Sequence, residues 1–275
     1  MSYQTKSVPQ ALTIAGSDSG GGAGIQADLK TFQERLVFGT SVIVAITAQN
    51  TQGVHGIHKI PVPMIEAQLE AVFSDFDIHA LKTGMLPDID TMHAVADFLQ
   101  KHADIPVVVD PVMIAKGGAS LMENEAAQTL IDRILPLATV LTPNVPEAEV
   151  ITGITIKNLD DLLEAAKKIQ SMGVKNVVIK GGHRLETENA EDILITEDGE
   201  VFHFASERID TVRTHGTGCT YSACITAELA KGASVKEAVQ TAKAFIAAAI
   251  KDGIEVGHGH GPTNHWAYRQ VEGEK

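Results

Sequence analysis

The chain has 275 residues, 44% of them hydrophobic and 4% aromatic, with 35 acidic against 22 basic side chains and a formal net charge of −13. That length suffices for one large α/β core, so a single domain over 1–275 is expected. The acidic balance argues against a polynucleotide partner, which needs a basic face, and the chain holds neither a run of about 18 apolar residues to cross a membrane nor an apolar signal core in its polar start, Met1–Gln10.

In chain order, short apolar runs alternate with longer amphipathic ones. Ala11–Ala15 reads as a strand and Ala23–Arg35 as a helix, then Val42–Ala48 as a strand and Met64–Phe76 as a helix. Ala80–Thr83 with Asp90–Lys101, Val107–Asp110 with Glu123–Leu135, and Thr139–Thr142 with Leu159–Met172 repeat the pattern, and Asn176–Lys180 is the next strand. These strands are rich in Val and Ile with little polar alternation, as in strands buried on both faces. Ile193–Thr196 and Val201–Phe204, joined by Glu197-Asp198-Gly199-Glu200, read as a β-hairpin that breaks the rhythm and belongs at an antiparallel edge. Thr220–Lys231 and Val235–Lys251 read as closing helices. The expected fold is therefore α/β, a mainly parallel sheet with helices on both faces and a late antiparallel hairpin.

In such a sheet, ligands bind beyond the carboxyl ends of the strands. Polar and glycine clusters fall there: Gly16–Gly24, Gln49-Asn50-Thr51, Gly84-Met85, Asp110-Pro111, Pro143-Asn144 and Gly181-Gly182-His183. The most telling stretch is Thr214-His215-Gly216-Thr217-Gly218-Cys219-Thr220, which runs straight into an alanine-rich helix. Its glycines let the backbone approach a ligand, and the helix behind offers unpaired N–H groups and a positive dipole end to an anion such as phosphate. Cys219 sits at the mouth of that turn, where a thiol's pKa is usually lowered. Taken alone, the turn reads equally as a glycine-rich helix entry with a buried cysteine. Cys219 and Cys224 lie five apart in one helical stretch and point to different faces. No disulfide between them is expected, and a reducing, cytoplasmic setting is.

Gly22-Ala23-Gly24-Ile25-Gln26-Ala27 has the form of a dinucleotide fingerprint, but no acidic residue occurs between Glu34 and Glu66 to hold a ribose, so a nicotinamide site is not expected. Asp28, on the helix that follows, reads equally as an exposed first-turn acid or as a substrate contact. No P-loop string occurs. Asp110, Asn144 and Glu147 form a second constellation. Singly, Asn144 and Glu147 read as a helix cap and a first-turn acid; beside a phosphate-binding turn, two acids and an amide suit Mg²⁺ held through water and phosphates. His258, His260 and His265 lie in or beside a glycine-rich stretch with no obvious acid, and no metal is assigned to them.

Together these segments resemble the ribokinase-like superfamily of small-molecule kinases. Within it they are most similar to the hydroxymethylpyrimidine/phosphomethylpyrimidine kinases of thiamin biosynthesis, close to the cysteine-bearing bacterial pyridoxal kinases. The resemblance runs from Ala11 to about Trp266. It rests on Ala15–Asp28, Ala48-Gln49-Asn50-Thr51, Lys82-Thr83-Gly84-Met85-Leu86, Asp110-Pro111-Val112-Met113, Thr142-Pro143-Asn144, Lys180-Gly181-Gly182-His183 and Thr214–Cys219. It implies ATP-dependent phosphorylation of a hydroxymethyl group on a pyrimidine and then of the monophosphate, with Mg²⁺, in a homo-oligomer, a dimer. It implies Cys219 as the base, and Gly216, Thr217 and Gly218 as an anion hole, with Thr214 beside them. Gln49 would read the pyrimidine, with Asp28, Met85 and Gly16 lining the same pocket. Lys180 and Asn144 would meet the ATP phosphates, and Asp110 and Glu147 the metal. Pyridoxal kinases of this type carry a second cysteine where this chain has Ala115 in Met113-Ile114-Ala115-Lys116-Gly117, so the resemblance favours the pyrimidine, with B6 vitamers as the alternative substrates. A non-catalytic vitamer-binding regulator would be signalled by loss of Cys219 or Asp110, and both are present.

Overall fold

Nine strands form one sheet in the order β3-β2-β1-β4-β5-β6-β7-β8-β9. The structure, a computed structural model, describes residues 7–113, 124–181 and 189–269. β1 (Gln10–Gly16), β2 (Phe38–Asn50), β4 (Ala80–Thr83), β5 (Val107–Val109), β6 (Val140–Leu141) and β7 (Asn176–Lys180) run parallel. β3 (Gly53–Lys59) is antiparallel on one edge, and β8 (Asn189–Ile195) and β9 (Val201–Glu207) are antiparallel on the other. The chain leaves β1 for β2 and returns to β4 on the other side of β1, so the sheet reverses direction between β1 and β4. In open α/β sheets such a reversal is where the connecting loops diverge and leave a crevice for a ligand.

The central strands are Val- and Ile-rich because both faces are covered. α2 (Val62–Phe73), α3 (Ile89–Lys101), α4 (Asn124–Thr129), α5 (Val145–Thr152) and α6 (Leu159–Gln170) lie on one side; α1 (Gly24–Glu34), α7 (Thr217–Ala230) and α8 (Val235–Lys251) lie on the other. α4 continues as a π-helical turn, Leu130–Ile134, and a 3₁₀ turn, Leu135–Leu137. Leu12, Ile14, Val42, Leu81 and Val109 fill the first core; Ala11 and Ala80 face the second, against Ala223 and Ala227 of α7. Alanines on both surfaces let α7 lie close on β1 and β4, with α1 and α8 on its flanks. That is why α7 is buried around almost its whole circumference, and why its N-terminus emerges at the crevice.

Two sequence expectations are corrected. β2 runs on past the expected end at Ala48 to include Gln49-Asn50, and a short turn leads into β3, a segment to which the sequence reading assigned no element. β3 is an edge strand exposed along nearly all of its length, so no apolar run marks it. The late hairpin is longer than expected because its open ends are polar. Ala115, Lys116, Gly117, Gly182, His183 and the helix start at Glu123 lie outside the described residues.

Beneath the crevice is a buried ion pair. Lys82, in register with Thr13 of β1, sends Nζ to within 2.8 Å of Asp28 Oδ1 on α1, and both side chains are 0% exposed. Thr13 donates to the other Asp28 oxygen at 2.6 Å. Such pairs add little net stability, but removing one partner strands the other charge in the core. Asp28→Leu is therefore expected to lower unfolding stability by about 3–5 kcal/mol, and Asp28→Leu with Lys82→Met to recover most of it. Urea denaturation of the two variants decides; equal losses would show the charges are not paired.

Candidate active site

Each of the first site residues is placed by a strand end. Gly16 closes β1, and a Cβ built on it would press to 2.7 Å of Met85 Cε, so β1 and the segment after β4 touch across the crevice. The loop after Gly16 is organised by Asp18, which is buried. Its carboxylate accepts from the backbone N–H groups of Gly20 (2.8 Å), Gly22 (3.1 Å) and Ala23 (2.9 Å), and lies 2.8 Å from His215 Nε2. Burial alone would raise the Asp18 pKa; the His215 hydrogen bond and the backbone donors outweigh it and hold the carboxyl below its ordinary value.

The Thr214–Cys219 turn closes on that loop. Gly216 is the N-cap of α7 in the left-handed region, φ 79°. It needs glycine for a second reason: a Cβ there would run into the Gly22 carbonyl oxygen. α7 begins with no side-chain cap and no acid in its first turn, which leaves its N-terminus suited to an anion. The Thr217 hydroxyl is turned back onto the Thr214 carbonyl at 2.7 Å, so both threonines serve the turn's shape. A Cβ on Gly218 would stand 3.4 Å from Asp110 Oδ2 and 3.5 Å from Lys180 Nζ. The bare backbone of Gly218 thus lies directly over the second constellation.

That constellation is assembled from three strand ends. Asp110 follows β5, Asn144 follows β6 and forms an isolated parallel bridge with Lys180 at the end of β7. Lys180 Nζ is 3.3 Å from Asp110 Oδ1. Asn144 and Glu147 form a reciprocal capping box at the start of α5, each side chain accepting from the other's backbone N–H at 2.9 Å. The cap reading of the sequence is therefore correct for both, and it fixes the Glu147 carboxyl where Asp110 and Lys180 act on it. Burial pushes the Glu147 pKa up to about 7, with Asp110 adding to the rise and Lys180 opposing it. Burial favours a neutral Lys180, but Asp110 and Glu147 outweigh it and keep the ammonium. Two facing carboxylates with a cation and a capped amide fit a hard divalent ion completed by water and phosphate oxygens. Among the described residues no group of three or more His, Cys, Asp or Glu is clustered to hold a metal by itself.

Two expectations about individual residues fail. Asp28 is neither a surface acid nor on the pocket wall: it is consumed by Lys82 and Thr13 in the core. Cys219 is partly buried and free, but its thiol is not lowered. Burial pushes its pKa up to about 12; Lys82 and the Gly24 N–H pull it down, while Asp28 and Asp110 push it further up. The helix terminus is outweighed by desolvation and two nearby carboxylates. His265 packs inside, its Nε2 3.0 Å from Thr220 Oγ1, with burial and Lys30 drawing its pKa down to about 4. His258 and His260 are exposed and donate backbone N–H groups to Thr51, closing the glycine-rich segment onto the β2–β3 turn.

Gln49, on the other wall, is partly buried, with Nε2 3.4 Å from His215 Nε2. Asp18, His215 and Lys82 are the organising residues that sequence reading left without roles. Each stood inside a motif, and the signal for Lys82 was a lysine inside a short strand, Ala80–Thr83, that lies between apolar strands.

A family profile described as phosphomethylpyrimidine kinase matches residues 18–264. The chain belongs to this family. A hydroxymethylpyrimidine/phosphomethylpyrimidine kinase of Haemophilus influenzae is 57% identical over 266 residues, covering 96% of this chain and 99% of that protein. Among solved structures, an ADP complex of Bacillus subtilis pyridoxal kinase is 46% identical with a TM-score of 0.88, covering 96% of this chain and 100% of that one. A Staphylococcus aureus pyridoxal kinase in complex with AMP-PCP and pyridoxal is 35% identical with a TM-score of 0.87, covering 96% of each. The ribokinase-like fold and the kinase class expected from the sequence are both borne out.

The raised thiol has a direct consequence. In the ligand-free protein, alkylation of Cys219 by iodoacetamide, followed by peptide mass mapping, is expected to accelerate about tenfold per pH unit from about pH 7 to about pH 10 without levelling. A plateau near the ordinary thiol value of about 8.5 would show that burial does not govern this group.

Proposed function

We propose that the protein transfers the γ-phosphoryl group of ATP to the hydroxymethyl group of 4-amino-5-hydroxymethyl-2-methylpyrimidine and then to the resulting monophosphate, for thiamin biosynthesis. The observation that carries this reading is the meeting of three parts at one crevice. They are the uncapped α7 turn with Cys219, the Asp110–Lys180 pair beneath Gly218, and the Gly16–Met85 contact together with Gln49 beside His215. The 57% identity to a kinase named for both pyrimidine steps supports the same substrate. Phosphoryl transfer asks mainly for positioning and charge neutralisation. The substrate hydroxyl lies against Cys219, which takes its proton as the bond to phosphorus forms, while the N–H groups of the turn hold the transferred oxygens. Lys180 faces the departing phosphates. Asp110 and Glu147 would hold Mg²⁺, which neutralises the phosphates and offsets one of the two carboxylates that disfavour the Cys219 thiolate.

A second reading, phosphorylation of pyridoxal or its relatives, is favoured by the closeness of the fold to pyridoxal kinases. An assay of ADP release with hydroxymethylpyrimidine, its monophosphate and pyridoxal separates them. The pyrimidine is expected to exceed pyridoxal by at least about tenfold in kcat/KM, the scale of a mispaired buried amide. Activity is expected to vanish in excess EDTA, and Cys219→Ala to lower kcat by about 10²-fold or more. Pyridoxal as the better substrate reverses the assignment.

The same reading includes a cytoplasmic setting, supported by Cys219 and Cys224, neither of which is in a disulfide, and a homodimer. The β2–β3 hairpin projects at the sheet edge with Ile46, Val54 and Ile57 exposed at 49, 52 and 57%. Such an edge invites a second copy. Sedimentation velocity is expected to show a dimer, and Ile57→Lys to shift it to monomer; a monomeric wild type rules the interface out.

A further inference from the structure

The Asp18–His215–Gln49 contacts impose a choice of hydrogen-bond direction that reaches the substrate pocket. His215 Nε2 lies 2.8 Å from Asp18 Oδ2 and 3.4 Å from the Gln49 amide nitrogen. One ring nitrogen carries either a proton or a lone pair. Asp18 is a carboxylate already gathering three backbone N–H donors, and can only accept. A lone pair on Nε2 would face its oxygen and repel it, so Nε2 carries the hydrogen. The amide NH₂ of Gln49 then confronts another donor. A half-turn about the last side-chain bond removes the conflict: the amide oxygen, at 3.4 Å, then shares the imidazole N–H with Asp18 as the weaker branch of a bifurcated bond, and the NH₂ is left for the crevice.

His215 is well fixed for this task. Its backbone N–H donates to the Gly261 carbonyl at 3.1 Å, its own carbonyl accepts from Thr263, and a side chain on Gly22 would strike its ring at 2.7 Å. The residue immediately precedes Gly216, so the same imidazole ties the substrate wall to the phosphate turn.

We propose that Asp18 and His215 are positioning residues that set substrate choice, by orienting the Gln49 amide so that its NH₂ is presented to a ring-nitrogen acceptor of the substrate. This rests on the pyrimidine reading above. An aminopyrimidine offers such an acceptor beside an amino donor, and the second lone pair of the Gln49 oxygen can take that donor. Pyridoxal offers a ring nitrogen with a phenolic oxygen and fits the oriented amide less well. With the orientation lost, the amide turns freely and the preference weakens.

Two measurements test this. Long-range ¹H–¹⁵N spectra of ¹⁵N-histidine-labelled protein, with His215 assigned through His215→Gln, are expected to show Nε2 protonated; the tautomer with bare Nε2 overturns the proposal. The ratio of kcat/KM for hydroxymethylpyrimidine to that for pyridoxal is expected to fall about 5- to 10-fold in His215→Phe, chiefly through KM for the pyrimidine, as one buried hydrogen bond is mispaired. His215→Gln, which restores an N–H at similar reach, is expected to recover most of it. An unchanged ratio in His215→Phe, or His215→Gln no better than His215→Phe, overturns the proposal. If His215→Phe does not fold, Asp18→Asn is judged by the same ratio, unchanged meaning refuted. A wild type inactive on hydroxymethylpyrimidine sinks the functional reading instead, and the spectra still decide the direction of the hydrogen-bond chain.

Discussion

The close approach of Gly216 to the Gly22 carbonyl is the constraint from which the site follows. A backbone at φ 79° with no room for a Cβ admits only glycine. That contact locks the start of α7 against the loop after β1 and brings an uncapped helix terminus over the point where the sheet reverses direction. The alanines of α7 make the approach possible from below, because larger side chains against Ala11 and Ala80 would lift the helix and its N-terminus away from the crevice. Asp18 reinforces the lock from the side, joining the glycine loop's N–H groups to the residue just before Gly216.

The strand-and-helix rhythm was legible because burial on both faces leaves uniform apolar runs, and β4, β7 and α8 lie where the sequence put them. The turn, the Asp110 group and Gln49 were legible because glycine and polar residues at strand ends have few other reasons to be there. Three features were hidden by the same physics in reverse. β3 is an exposed edge and carries no apolar signature. Asp28 read equally as a surface acid or a substrate contact because its partner, Lys82, stands 54 positions away in strand β4. The thiol of Cys219 looked activated because helix termini are visible in sequence, whereas the carboxylates that gather around it come from α1 and β5.

Desolvation sets the chemistry of that thiol more than the helix does. A cysteine at an exposed helix start would ionise readily, but here burial, with Asp28 and Asp110 beside it, opposes the thiolate more than Lys82, the Gly24 N–H and the helix terminus favour it. The resting enzyme therefore holds a proton on sulfur. This suits a kinase: a free thiolate beside an open phosphate site would be exposed to oxidation and would repel the very anion the turn has to accept. On the proposed reading, Cys219 becomes competent as a base only as its carboxylate neighbours are neutralised.

The charges beneath the site explain what can neutralise them. Asp28 with Lys82, Asp110 with Lys180, and Asp192 with Lys243 follow one another across the sheet's α7 side, each ion pair closed at 2.8 to 3.3 Å. Alternation of sign offsets part of the cost of burying them. The row sums to zero, three carboxylates against three ammonium groups, and Glu147 adds a carboxyl whose pKa burial pushes up to about 7. A nucleotide triphosphate entering over Gly218 brings several negative charges into this balanced row, and no lysine in it is free to answer them. Lys180 can lean toward a phosphate only by loosening its hold on Asp110, which would strand that carboxylate. Asp110 and Glu147 would hold a divalent cation on the proposed reading, and its charge would offset both deficits and one of the carboxylates that keep the proton on Cys219. On the proposed reading, phosphate binding and activation of Cys219 would be one electrostatic event, set by a row of ion pairs that has no surplus of its own.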